Sequence, residues 1–243
     1  MTGFRHLDVP YFAQWASAEG VRAIVEDGAD PCADPDWTSA GFETPDEYRF
    51  WSRRICGLAC LQSALTYWGL DVPIRSVLLR SALKWGAYRL IGADRVEGLT
   101  YAPFADWVAS EFGLTGVVHG HLPLDQVPCR VDVDSFLLAS VSSEIRYPDR
   151  PNERRGGHLV LVLGHDDTGV YIHNPSGVPP HQADAHLDWA TFARFYAGRG
   201  VELRRPGPGP RAPVGIVSRA VDEGENGGHE PGAGRRPDAL RKS

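Results

Sequence analysis

Among the four cysteines and nine histidines of this 243-residue chain, one of each sits where chemistry is expected. Cys56 stands immediately before GLACLQSALTYW (57–68), in which Leu58, Leu61, Ala64, Leu65 and Trp68 recur at helical spacing and Gly69 supplies a stop. A sulfur at that position lies at the positive end of a helix dipole, where a thiolate is favoured. A nucleophilic cysteine also needs a base to take its proton and return it to the leaving group, a task that suits histidine. His158 fits, because GGHLVLVLG puts it at the mouth of a strand after two glycines, where its ring can face a cleft. The base in turn needs a partner that fixes its tautomer, and Asn174, in HNPSG at the end of the next strand, is placed for that role. Cys60 falls one turn after Cys56 and reads as packing, while Cys32 and Cys129 belong to no pattern.

The pairing of His158 with Asn174 depends on the turn between their strands. A three-residue loop, Asp166 to Thr168, with Gly169 in the left-handed position of a bulge sets His165 opposite Gly169. That register puts His158 opposite Ser176 and on one face with Ile172 and Asn174. A two-residue loop moves Asn174 to the other face, because side chains alternate along a strand.

The elements that must hold these residues separate along the chain. Helices are expected at 74–84, 101–112 and 187–197, the last with Asp188 in its first turn. After Asp134 come β-branched and aliphatic runs at 135–147, 158–166 and 169–175. Helices followed by strands imply an α+β fold with helices packed on an antiparallel sheet. Residues 26–51 are acidic, punctuated by Pro and Gly and without a period, and read as a long ordered loop. Within it Thr44 is placed to cap a helical turn opened by Pro45. The acidic run is by default a solvated surface; a functional reading makes it a lid selecting basic or amine-bearing substrates. We expect one domain over 1–219, a last strand at Val214 to Ser218, and a disordered tail over 220–243, which has almost no apolar residue.

Three blocks in order, VPYFAQ (9–14), CGLACLQSALTYWG (56–69) and GGHLVLVLGHDDTGVYIHNPSG (156–177), resemble the bacteriocin-processing, or double-glycine, cysteine peptidases and their wider papain-like relatives. The resemblance runs from about Asp8 to about Arg199, excepting 26–51. It implies a papain-like fold with an N-terminal helical half, a central helix starting after the nucleophile Cys56, and a C-terminal antiparallel sheet. It further implies His158 as general base and acid, Asn174 as its orienter where many members have Asp, and Gln14 donating its side-chain amide to the oxyanion. The implied chemistry is acyl transfer through a thioester, on a peptide or amide substrate, with water as the usual acceptor. Two other outcomes are compatible with the same residues: a tailoring acyltransferase that passes the acyl group to an amine, and a non-catalytic relative that binds a peptide in the cleft. The chain departs from the exporter-linked members in that Gln14 precedes Cys56 by 42 positions and Ile55 replaces the acidic residue often found before the cysteine.

Composition excludes other classes. At 42% hydrophobic and 23% charged, the chain is neither fibrous nor wholly disordered, and a net charge of −6 with pI near 5.8 argues against nucleic acid as a partner. The segment MTGFRHLDVPYF lacks the pattern of a secretion signal, and no run approaches the ~18 apolar residues of a membrane span. We therefore expect a cytoplasmic protein with free thiols and no membrane partner. No cofactor is expected. A zinc site on Cys56, Cys60 and histidines lacks the second ligand pair that structural zinc uses. His119 and His121 read as a solvated loop, and His165 and His173 as packed or edge residues of the hairpin.

Overall fold

The computed structural model describes residues 3–205 apart from residue 93, and these belong to one compact unit. The helices are α1 (Val21–Glu26), α2 (Pro45–Ser52), α3 (Cys56–Tyr67), α4 (Arg75–Lys84), α5 (Tyr101–Phe112) and α6 (Trp189–Phe195). The strands are β1 (Phe4–Arg5), β2 (Tyr88–Ile91), β3 (Arg95–Leu99), β4 (Thr115–His119), β5 (Ser135–Ser142), β6 (Gly157–His165), β7 (Gly169–His173), β8 (Ala185–Asp188) and β9 (Tyr196–Arg204). Seven strands form one sheet in the order β4-β9-β5-β6-β7-β8, with β1 beside β6, and β2 and β3 make a separate hairpin. Every pairing is antiparallel, which makes the fold α+β as the sequence implied. The run at Val214–Ser218, the 219 boundary and the tail over 220–243 lie outside the described residues.

The sheet is covered on both faces, and that explains the texture of its central strands. Phe136 and Leu138 of β5 face a core built with α2, α3, α4 and α5, whereas Leu137, Ala139 and Val141 face a second core with Phe192 and Phe195. A strand buried on both sides loses the alternation of apolar and polar residues, and SFLLASVS is buried at every position. Helix α3 lies inside the first core, buried without a break from Gly57 to Leu65, and is apolar nearly all round for that reason.

Several elements differ from the sequence reading. The helix expected at 187–197 occupies only Trp189–Phe195, because Asp188 accepts the Thr191 N–H at 2.8 Å as its N-cap. Beyond it the chain turns directly into β9, whose sequence YAGRGVELR is broken by two glycines and does not look like a central strand. Its Glu202, 3% exposed, is held by Arg204, with His119 at 3.1 Å from its other oxygen. His119 therefore ends a strand instead of lying in a solvated loop.

Residues 26–51 form two short 3-10 helices, Pro31–Ala33 and Pro35–Ala40, before α2. Thr44 caps α2, its hydroxyl accepting the Glu47 N–H at 3.1 Å, and Pro45 opens the helix. The acidic side chains act locally: Asp30 and Asp46 both pair with Arg49, and Asp34 accepts from the Ser17 N–H and hydroxyl at 2.9 and 2.8 Å. Removing the cap by Thr44→Ala is expected to lower stability by about 1 kcal/mol, read as a reduced urea midpoint with an unchanged slope.

Buried histidines tie the N-terminal segment to the sheet in their neutral form. His6 Nε2–H donates to Ser135 O at 3.0 Å while Nδ1 accepts from the Tyr67 hydroxyl at 3.2 Å. His173 Nε2–H donates to Val9 O and Nδ1 accepts the Asp184 N–H, both at 2.9 Å. Burial holds both below the ordinary value of about 6.5. The unfolded chain therefore binds protons more readily, so their contribution is complete above pH about 6.5 and lost as pH falls through the folded values. Thermal midpoints measured at pH 7.5, 6.5 and 5.5 are expected to fall across the last two; a midpoint flat to pH 5 would show that these rings are not held neutral.

Candidate active site

The nucleophile candidate is placed by the burial of α3. Cys56 is its first residue, and the Leu58 and Ala59 N–H groups return to Ile55 O, so the Cys56 and Gly57 N–H groups at the helix start are free of helical acceptors. Gly57 fits closely, since a Cβ there would lie 3.0 Å from the Tyr88 hydroxyl and 3.1 Å from Leu159 Cδ1. Cys56 is partly exposed. Cys60 is 1% exposed, in the core.

The base candidate is placed by β6. Gly156 and Gly157 have φ of +82° and +90°, a region closed to most side chains, and they swing the chain into the strand just before His158. Cys56 and His158 line the same cavity of about 160 Å³, with Glu97, Gly98, Leu99, Tyr101, Ser140 and Leu159 among its walls. No residue of 26–51 lines it, so the lid reading of that segment finds no support in this arrangement.

His158 and Asn174 meet, but through a different device from the one the turn sequence implied. His165 pairs with Val170, and the Asp166 N–H reaches Gly169 O at 2.9 Å, which leaves a two-residue loop of Asp167 and Thr168. Gly169 has no positive φ. Asp166 Oδ1 instead holds the loop by accepting from the Thr168 and Gly169 N–H groups at 2.8 and 2.9 Å. The register then shifts between Val162 and Gly164, where Leu163 is an extra residue on β6, and Val162 pairs with Ile172 and Leu161 with His173. Beyond the bulge His158 comes level with Ser176.

The resulting hydrogen bonds define the tautomer. His158 Nε2 lies 2.8 Å from Asn174 Oδ1, and the Ser176 N–H donates to that same oxygen at 3.2 Å. An atom that accepts from a main-chain N–H is the carbonyl oxygen of the amide, so Nε2 carries the hydrogen and Nδ1 the lone pair. Two further partners complete the arrangement. Ser176 Oγ is 3.1 Å from His158 Nε2, and Arg146 Nε donates to both Ser176 Oγ and Ser176 O at 2.9 Å. Ser176 was legible as the residue opposite His158; nothing local marks Arg146, which arrives from the end of β5.

Gln14 is anchored in the same neighbourhood by its main chain, the N–H donating to Pro175 O at 2.8 Å, between Asn174 and Ser176. The 42 positions to Cys56 are bridged by a segment folded back on itself, with the Tyr48 hydroxyl accepting the Ala16 N–H at 2.8 Å. Gln14 is 3% exposed, and its side chain is not among the walls of the Cys56 cavity.

Electrostatics set a neutral resting pair. Burial pushes the Cys56 thiol up, opposed by main-chain hydrogen bonds from Leu159 and Gly57 and by the Arg146 charge. Burial takes His158 down to about 3; the Arg146 charge acts the same way and the bond to Asn174 opposes it. Burial therefore opposes the thiolate that the helix start favours. Among the described residues no three His, Cys, Asp or Glu side chains converge to hold a metal, and no helix is long and apolar enough to cross a membrane.

No family model and no curated protein matches the sequence. A solved structure of a putative C39-like peptidase from Bacillus anthracis superposes with a TM-score of 0.50, covering 85% of this chain and 99% of that one at 11% identity. The fold is that of a C39-like peptidase. The peptidase domain of Streptococcus ComA, a bifunctional ABC transporter of a quorum-sensing pathway, is similar at a TM-score of 0.44 and 17% identity, over 63% of this chain and 93% of that one. A double-glycine-motif protease from an AMS/PCAT transporter, solved with its leader peptide, is similar at 0.42 and 16%, over 62% and 84%. In this C39-like fold Cys56 begins the central helix and His158 is the second residue of the strand beside it.

A thiol paired with a neutral imidazole ionises toward alkaline pH. Alkylation of Cys56 by iodoacetamide, mapped by mass spectrometry, is expected to accelerate steadily from pH 6 to 9. A rate already at its plateau at pH 5 would instead indicate a preformed thiolate–imidazolium pair.

Proposed function

We propose that the chain is a cysteine peptidase or related thiol amidase that attacks a peptide or amide carbonyl with Cys56. The observation that carries the reading is the 2.8 Å bond from His158 Nε2 to Asn174 Oδ1, which leaves the Nδ1 lone pair of a ring that shares its cavity with Cys56. As Sγ attacks the carbonyl carbon, its proton passes to Nδ1 and the carbonyl oxygen takes the negative charge. The N–H groups at the start of α3, which have no helical acceptor, are proposed donors for that oxyanion, and Gln14, tethered at Pro175, is the proposed second donor. Collapse breaks the C–N bond, His158 gives its proton to the departing amine, and a thioester to Cys56 remains. Water, deprotonated by His158, then hydrolyses it and restores the thiol.

Arg146 and Ser176 act through His158 in this scheme. Ser176 helps fix the Asn174 amide and shares the Nε2 hydrogen, while the Arg146 charge favours the thiolate and disfavours the imidazolium. They are positioning residues.

The test is selective alkylation of Cys56 at pH 7 followed by a peptide-library hydrolysis screen. His158→Ala is expected to slow alkylation by roughly 10²-fold or more, the lower end of general-base contributions, and Asn174→Ala by less. Ser176→Ala is expected to shift the pH profile of the rate while leaving the thermal midpoint within the range of the parent. Labelling that is independent of His158 would sink the hydrolase reading and leave the cleft as a binding site.

A further inference from the structure

Outside the Cys56 cavity a cation is buried without a counter-ion among the described residues. Arg75, the first residue of α4, is 6% exposed. Its Nε and Nη2 donate to Gln62 Oε1 at 2.9 and 2.7 Å, and Nη1 donates to Trp15 O at 3.0 Å. Both acceptors are neutral, and among the described residues no carboxylate pairs with it. Three of the five guanidinium N–H groups are used, which leaves one on each terminal nitrogen. Burial lowers the group to about 10, so it is still a cation at neutral pH.

Arg75 lines a cavity of about 400 Å³ whose other walls are mainly apolar, including Phe12, Ala16, Ala40, Val72 and Ile74. The start of α4, which has no side-chain cap, also borders it through Ile74 and Arg75. An apolar chamber with a single buried cation and a helix N-terminus suits a ligand with one anionic group on an apolar body. We infer that this cavity binds a small carboxylic acid, its carboxylate on Arg75 and the α4 N-terminus and its hydrocarbon against Phe12, Val72 and Ile74. The ligand supplies the counter-charge that the fold does not. Gln62 lies six residues along α3 from Cys56, about 9 Å at the helical rise, so the site is separate from the cleft and does not depend on Cys56 being a nucleophile.

Calorimetric titration of the full chain with hexanoate, against hexanol as the uncharged control, tests this at pH 7. Saturable hexanoate binding at least tenfold tighter than hexanol is expected. Ser39→Trp, at an exposed lining residue, is expected to abolish it without changing Cys56 alkylation. Arg75→Met should remove the preference for acid over alcohol; if that variant does not fold, Ser39→Trp still decides. A dipeptide with a free C-terminus binding more tightly than hexanoate would assign the carboxylate to a peptide end, and the reverse to a free acid. No saturable binding, equal affinity for hexanol, or binding that survives Ser39→Trp would overturn the proposal and leave Arg75 as a tie between Gln62 and Trp15.

Discussion

Between Val162 and Gly164, β6 carries one residue more than β7, and the alignment of everything beyond that point follows from it. Without the bulge at Leu163 the two-residue loop would send Asn174 to the face away from His158, since strand side chains alternate. The same stretch receives the N-terminal segment. A Cβ on Gly164 would lie 2.2 Å from Phe4 O, so only glycine lets β1 lie there, and the His6 N–H donates to Leu163 O at 2.9 Å. From that anchor the chain is stitched to the end of β7 and the residues after it: Val9 O to His173, the Tyr11 hydroxyl to Asn174 O, and the Gln14 N–H to Pro175 O. One irregularity in one strand thus brings together the base, its orienter and the segment bearing Gln14.

Desolvation then governs how these groups behave. Cys56 and His158 lie in a small cavity walled by both layers, and burial disfavours the charged form of each. Arg146 is the compensating charge, but it acts with opposite sense on the two partners, favouring thiolate and opposing imidazolium. Its attachment to Ser176, which itself bonds to the Asn174 amide, makes the base, the orienter and this cation one network, so that moving any member disturbs the others.

The helical layer carries a second electrostatic arrangement of the same kind. The acidic segment over 26–51 uses Asp30, Asp34 and Asp46 in caps and ion pairs on its own surface, and none of them reaches Arg75. Arg75 consequently holds Trp15 and Gln62 together with its charge unmatched, beside an apolar chamber that the same segment helps to close through Ser39 and Ala40.

Local pattern alone determined much of this protein: the helix at Cys56, read as starting one residue later, the Thr44 cap, a helix near Asp188, the strand pair around His158 and Asn174, and hence the α+β class. Each rests on short-range physics, the spacing of apolar residues or the capping of free N–H groups, which neighbouring residues suffice to specify. Tertiary structure decided the rest. Strand β9 is central although its own sequence is glycine-broken and carries charges, because β4 and β5 pair with it on either side and its Glu202 is met by Arg130 from another element as well as by Arg204 of its own strand. The bulge at Leu163 is invisible in an unbroken aliphatic run, and Arg146 has no local signature. The desolvation that opposes charge on Cys56 and His158 is a property of the assembled cavity and leaves no mark on the local sequence. Register, burial and the pairing of distant charges are long-range quantities, and they exist only once the layers have packed.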